Sequence, residues 1–251
     1  MTPFHLTYGL TSAKGTVRET NQDVAAARLF KPAWSEDDVG LFMVADGMGA
    51  RGEGERAAQI AVDTVIEAVT ELMSNNDAPT NIGEFLTEAF KKANATILSE
   101  TPDGGTTLTC ALVIGNKLHI AHVGDTRAYV LFNNEIILLT KDHTFSMELV
   151  RLGHVTTEEL KLHPIDDVLF RALGRDAELE VDMVAMNLTV NSSLLLCTDG
   201  LIKWSWGFLS ESQVTTIIHN CDPQTASDRL VALARERGSN DDITALVVRV
   251  G

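Results

Sequence analysis

The chain has 251 residues, 45% apolar and 22% charged, with 20 Lys and Arg against 35 Asp and Glu for a formal net charge of -15. That apolar share is too high for a disordered chain, and no apolar run approaches the roughly 20 residues of a membrane helix. The acidic balance repels phosphate backbones and anionic lipid, which counts against nucleic-acid and membrane-surface binding.

The amino terminus, Met1-Thr-Pro-Phe-His-Leu, lacks a basic start followed by an apolar stretch, so no export signal is readable. Cys110, Cys197 and Cys221 are odd in number and lack metal spacing, which predicts buried free thiols in a reducing cytoplasm. The cluster Gly15-Thr-Val-Arg18-Glu-Thr-Asn21-Gln22-Asp23 leads into a strand, Val24 to Leu29. The acidic run Glu36-Asp37-Asp38 reads as a solvated loop, and the strand Leu41 to Ala45 follows it. From about Glu53 to Met73, Ala58, Val62, Val65, Val69 and Leu72 recur every three or four residues, the stripe of an amphipathic helix. A second helix, about Gly83 to Leu98, carries Leu86, Ala89, Phe90, Ala93 and Ile97 on one side.

Four β-rich runs come next: Thr106 to Ile114, Lys117 to Val123, Thr126 to Phe132 and Glu135 to Leu139. Gly115-Asn116, Gly124-Asp125 and Asn133-Asn134 join them, and connections this tight predict antiparallel hairpins. The segment from about Thr144 to Arg175, with His154, His163 and Pro164, reads as a surface insertion over the sheet ends rather than core. Capping boxes at Thr156-x-x-Glu159 and Ser210-x-x-Gln213 mark short helices. A strand from Ser193 to Cys197, a helix capped by Asp222 with Pro223 in its first turn, and a strand from Ile243 to Val250 complete the chain. An α+β fold follows, a four-layer α-β-β-α sandwich of two antiparallel sheets flanked by helices, because that packing buries every apolar face. No linker divides the chain, so residues 1–251 are expected to form one domain.

The chemistry lies at the strand ends. Leu41-Phe-Met-Val-Ala runs into Asp46-Gly47, Leu118-His-Ile-Ala-His-Val into Gly124-Asp125, and Leu194-Leu-Leu-Cys-Thr into Asp199-Gly200. Asp241-Asp242 immediately precedes the last strand. Any one of these is an ordinary turn signal. If the strand ends converge, the acids need counter-charge, since two carboxylates about 4 Å apart repel by roughly 4 kcal/mol at an effective dielectric of 20. All-oxygen ligands favour Mg2+ or Mn2+ over zinc. Arg18 beside such a cluster suits bidentate gripping of a phosphate, although alone it would be a surface ion-pair residue. Gly47-Met-Gly49-Ala-Arg-Gly52 also matches a dinucleotide fingerprint. Asp46 would there face a pyrophosphate, and no returning strand ends in an acid.

Taken in order, Arg18-Glu-Thr-Asn21-Gln-Asp23, Val44-Ala-Asp46-Gly-Met-Gly49, Gly54-Glu55, Gly105-Thr-Thr107, Val123-Gly-Asp125-Thr-Arg-Ala-Tyr129, Asp142-His-Thr144, Arg171-Ala-Leu-Gly174, Leu196-Cys-Thr-Asp199-Gly-Leu201 and Asp241-Asp-Ile-Thr244 resemble the metal-dependent protein serine/threonine phosphatases, the PPM or type-2C family in its compact bacterial form. The resemblance implies hydrolysis of phosphoserine and phosphothreonine in proteins by a hydroxide bridged between two ions, Mn2+ or Mg2+. It also implies phosphorylated proteins as partners, with a Ser/Thr protein kinase and its substrates among them, and no nucleic acid or membrane. By carry-over Asp46 would bridge both ions and be catalytic, and the Gly47 carbonyl would hold one of them. Asp199 and Asp241 would complete the second ion's ligands. Asp125 would hold a third, weaker ion, with Asp199 a candidate to share it. Asp23 would act in the outer shell, and Arg18 would grip the substrate phosphate. The segment of about 144–175 corresponds to the family's flap. Met48 stands where many eukaryotic relatives carry a histidine proposed as general acid, and Asp242 where asparagine is commoner.

Several residues receive plainer readings. His119, His122 and His143 are expected to be structural, and Trp204 and Trp206 to pack locally. A second hypothesis is a catalytically weak phosphoprotein-binding module of the same fold; a dinucleotide-binding enzyme is the third.

Overall fold

The computed structural model describes residues 4–50, 52–75, 77–133, 135–162, 168–202 and 209–251. His163, Pro164, Trp204 and Trp206 lie outside them. The chain begins with β1 (Leu6–Ala13), β2 (Asp23–Phe30) and β3 (Val39–Met48), then α1 (Glu53–Met73) and α2 (Ile82–Glu100). A β-rich stretch holds β4 (Gly105–Thr106), β5 (Leu108–Ile114), β6 (Lys117–Val123), β7 (Arg127–Phe132) and β8 (Glu135–Leu138). The remainder is α3 (Phe145–Arg151), α4 (Thr157–Leu162), β9 (Asp182–Asn187), β10 (Ser193–Cys197), α5 (Glu211–Asn220), α6 (Pro223–Glu236) and β11 (Ile243–Val250). One sheet runs β1-β11-β10-β7-β8; the other runs β2-β3-β5-β6-β9, with β4 paired to β3.

The four-layer expectation is met, and side-chain alternation along the strands explains why. On β3, Leu41, Met43 and Ala45 face α1 and α2, while Phe42 and Val44 face the opposite sheet. The inter-sheet layer is completed by Ile120, Val130, Leu196 and Leu246. On the far side, Leu195, Cys197, Ala245 and Val247 pack under α5 and α6. A central strand covered on both faces reads as a continuous apolar run rather than an alternating one. Both capping boxes form: Glu159 and Thr156 exchange bonds ahead of α4, as do Ser210 and Gln213 ahead of α5. Asp222 accepts from Gln224 N and Thr225 N ahead of α6. All three cysteines are buried and free. Among the described residues no helix is long and apolar enough to cross a membrane.

Three expectations need correction. Gly115-Asn116 does join a hairpin, and β7 pairs with β8, but Gly124-Asp125 does not join one: β6 belongs to one sheet and β7 to the other. The link is a corner at the end of the sandwich. Gly124 makes it with φ of 110°, and a Cβ there would lie 2.5 Å from the Thr107 side chain. The run Glu36-Asp37-Asp38 is not simply solvated, because Asp38 is buried, accepts from Leu6 N at 3.0 Å and faces Lys31 at 3.4 Å. Asp37 accepts from Phe4 N, so the two acids hold β1 in place. The 144–175 segment contains α3 as well as α4, and it ends in core: Ala172 and Leu173 are buried, with Leu173 bridged to Thr106. The dinucleotide reading falls too, since every strand pairing among the described residues is antiparallel.

Candidate active site

Register brings the acids together. β2 enters and β3 leaves at the same end of one sheet, so Asp23 is the direct cross-strand partner of Asp46. In the other sheet β10 leaves where β11 and β7 enter: Cys197 pairs with both Ala245 and Arg127. Asp199 and Asp125 lie two residues beyond Cys197 and Arg127, and Asp241 lies two residues before β11 begins, four from Ala245. Asp23 fastens the two sheets at this end. Its Oδ2 accepts from Thr198 Oγ1 at 2.8 Å and Thr244 Oγ1 at 2.7 Å. Its Oδ1 is buried with no hydrogen-bond partner among the described residues.

The electrostatics follow from that crowding. Burial drives the Asp46 carboxyl well above the usual carboxylate range, and Asp23, Asp199 and Asp125 push it further, with Arg18 pulling back. Asp23 is raised to about 7, chiefly by burial, against its two threonine bonds and with Asp199 and Asp242 adding to the rise. Arg18 is the cation in this field. Its Nη1 donates to Gly47 O at 2.8 Å and lies 4.0 Å from Asp46 Oδ1. Its Nε lies 3.7 Å from Asp241 Oδ1, and its Nη1 also donates to Gln22 Oε1. Thus Asp23, Asp46, Asp125 and Asp199 share one field, and Asp241 and the Gly47 carbonyl join it through Arg18. Among the described residues no three His, Cys, Asp or Glu side chains are closed up enough to hold an ion as they stand. Arg18 stands between Asp46 and Asp241, so part of the acidic charge faces a guanidinium.

Gly47 is fixed by close approach. A Cβ there would fall 2.2 Å from Gly54 O, so the glycine lets the start of α1 press against the end of β3. Thr107 completes the frame: its Oγ1 accepts from Asp46 N and its N–H donates to Asp46 O, both at 2.9 Å.

Sequence reasoning missed two positioning residues. Asp242 is buried, and its two oxygens accept from Gly15 N and Gln22 N, each at 2.8 Å. It therefore holds both ends of the loop that carries Arg18. An asparagine has only one carbonyl oxygen for that pair of donors, a reason for the acid at this place. Asp242→Ala is expected to raise KM for a phosphopeptide about tenfold and to cost on the order of 3 kcal/mol, for two bonds to a charged acceptor. Steady-state kinetics and urea unfolding check both figures. The second is Arg127, which is buried and bidentate with Asp142, and whose Nη1 also donates to Tyr129 Oη and Ile202 O, each at 3.3 Å.

His122 is buried and hydrogen-bonded in the core, the structural role expected of it. Its Nε2 bonds Lys141 O and its Nδ1 bonds Thr109 Oγ1, both at 2.9 Å. The carbonyl can only accept, which places the ring proton on Nε2. Burial lowers its pKa from 6.5 to about 3, with His143 adding to the fall. Above pH 6.5 both folded and unfolded states are neutral here. Below it the unfolded state binds the proton first, so stability is lost as pH falls from 6.5 toward 3. At pH 5 this single group is expected to cost about 2 kcal/mol. Urea unfolding of wild type and His122→Asn at pH 7 and pH 5 measures it, as a gap between them that narrows by that amount.

Comparison with known proteins places this geometry. A profile described as protein phosphatase 2C matches residues 15–234. The chain is 31% identical over 241 residues to the serine/threonine phosphatase stp of Listeria welshimeri, covering 94% of this chain and 92% of the relative. The structure of the Streptococcus agalactiae serine/threonine phosphatase superposes with a TM-score of 0.85 at 26% identity, over 98% of this chain and all of that one. The catalytic domain of serine/threonine phosphatase PstP, solved with two manganese ions, gives a TM-score of 0.78 at 30% identity over 98% and 99% of the two chains. With residues 15–234 matched, the chain belongs to the protein phosphatase 2C family and is a protein serine/threonine phosphatase.

Proposed function

We propose that the protein hydrolyses phosphoserine and phosphothreonine in proteins in opposition to a Ser/Thr protein kinase, with Mn2+ or Mg2+ as cofactor. The observation that carries this reading is the gathering of Asp23, Asp46, Asp125 and Asp199 in one field, with Arg18 between Asp46 and Asp241. The residues fit hard divalent ions. The donors are oxygens, their charge outweighs that of Arg18, and Asp23 Oδ1 is buried among the described residues without a partner. The two manganese ions in the PstP catalytic domain support the same choice. Asp46, the Gly47 carbonyl, Asp199 and Asp241 would hold two ions, Asp125 a third, and Asp23 would steady the cluster from outside.

When bound, such ions polarise the phosphoryl oxygens and make water reactive at neutral pH. The protein's own residues do the rest. Arg18 offers a planar fork to the equatorial phosphoryl oxygens, where charge grows in the transition state. Gln22 and Asp242 keep that arginine at the carboxylates. Met48 has no transferable proton and does not protonate the leaving oxygen. The chain works as one catalytic domain, with the 144–175 segment as its flap.

Purified protein in Mn2+ should hydrolyse phosphothreonine peptides, and EDTA should lower the rate by at least about 100-fold. Turnover indifferent to EDTA, or tight phosphopeptide binding without turnover in Mn2+, would contradict the reading. Loss of the gene should raise phosphoserine and phosphothreonine on a set of cellular proteins.

A further inference from the structure

The segment carrying α3 and α4 is rooted on a short two-stranded stem. Phe170 N donates to His143 O at 2.9 Å, Phe145 N donates to Val168 O at 3.0 Å, and Thr144 bridges Leu169. One side of this stem is fastened to the corner that carries Asp125. His143 N donates to Gly124 O at 2.8 Å, and Gly124 N donates back to His143 Nδ1 at 3.0 Å. That return bond needs an unprotonated Nδ1, so the ring proton belongs on Nε2. Nε2 faces Asp182 Oδ2 at 3.4 Å, an acceptor that suits this tautomer, while Arg171 Nη1, 3.2 Å from Nε2, can only donate and so makes no hydrogen bond to the protonated nitrogen. Arg171 holds Asp182 in turn, donating to its Oδ1 at 2.7 Å and to Glu180 at 2.8 Å. The His122 ring lies 4.9 Å away on another side. Burial, with Arg171, holds the His143 pKa below its ordinary value and so keeps the acceptor available at neutral pH.

We propose that His143 is a positioning residue that clamps the root of the α3–α4 segment to the Gly124-Asp125 corner, so that order in the segment and placement of Asp125 are set together. The link to metal rests on the role given to Asp125 above; the clamp itself does not. An asparagine at 143 can present its Oδ1 where Nδ1 lies, whereas a glutamine reaches only the Nε2 position. This pair separates a hydrogen-bonding role from a packing one.

Both variants are examined first in EDTA, by hydrogen exchange over residues 120–127 and by tryptic cleavage at Arg151. His143→Gln is expected to speed each by about tenfold, the loss of one buried bond, while His143→Asn stays within about twofold of wild type. In Mn2+, His143→Gln should raise KM for a phosphopeptide more than it lowers kcat, and should raise the Mn2+ needed for half-maximal activity by about tenfold. If His143→Gln folds poorly, Asp182→Ala is read by the same exchange and cleavage, with an expected rise of about threefold. Equal effects of asparagine and glutamine, or no change in exchange and cleavage, would overturn the clamp. If Asp125→Asn leaves the Mn2+ requirement unchanged, the role of Asp125 fails separately, and exchange and cleavage still judge the clamp.

Discussion

Asp46→Asn is expected to lower phosphopeptide turnover by more than about 100-fold, while raising the melting temperature of the protein in EDTA. The two effects have one cause. Asp46 lies against Asp23, Asp199 and Asp125 in a partly desolvated place, and Arg18 at 4.0 Å offsets only part of that charge. Its raised pKa means that the fold disfavours the carboxylate, a cost present at neutral pH and relieved on acidification toward the unfolded value. Asparagine removes the charge with little change of shape. For a chain of this size each kcal/mol recovered is worth about 2–4 °C, so a rise of several degrees is expected. The catalytic loss exceeds the 10–100-fold typical of a residue that only supports a metal ligand, because the charge itself is the ligand. Differential scanning fluorimetry in EDTA and kinetics in Mn2+ give both numbers. Lower stability together with lost activity would mean that Asp46 is chiefly structural.

The largest stability effect is expected at the Arg127–Asp142 pair. Only 5% and 6% of these side chains are exposed, and the guanidinium meets the carboxylate through both Nε and Nη2. Asp142→Ala leaves a buried guanidinium without its carboxylate and should cost about 3–5 kcal/mol. That corresponds to roughly 10 °C in melting temperature. Replacing both partners by apolar residues of similar volume, Arg127→Met with Asp142→Leu, should recover much of the loss, because neither charge is then stranded. Urea unfolding of the two single variants and the double variant completes the cycle. A double variant as unstable as the sum of the singles would show that the pair's attraction is not what the singles lose.

Comparison of chain and fold shows which signals are local. The acids at Asp46, Asp125 and Asp199 were legible because each ends a buried apolar run at a glycine-bearing turn, and their meeting follows once the strands pair in register. The helices were legible from their apolar stripes and caps, whose bonds are short-range. The corner at Gly124 was not: two residues between strands look alike whether the chain turns back within a sheet or crosses to the facing one. β1 and β9 gave no clear signal. β1 interleaves its apolar residues with Thr, Gly and Ser, and β9 alternates half-exposed with exposed residues at a sheet edge. Asp38, Asp142 and Asp242 are acids with partners well separated in sequence, at Leu6, Arg127, and Gly15 and Gln22. Only tertiary packing distinguishes them from solvated loop residues.

The most direct measurement is an anomalous difference map from crystals grown in MnCl2 and collected at the manganese edge. Two strong peaks are expected among the carboxylates of Asp46, Asp199 and Asp241 and the Gly47 carbonyl, with a weaker third beside Asp125. A map with no peak near these oxygens, from crystals of protein that turns over phosphopeptides in the same Mn2+ solution, would contradict the metal centre on which the proposed hydrolysis rests.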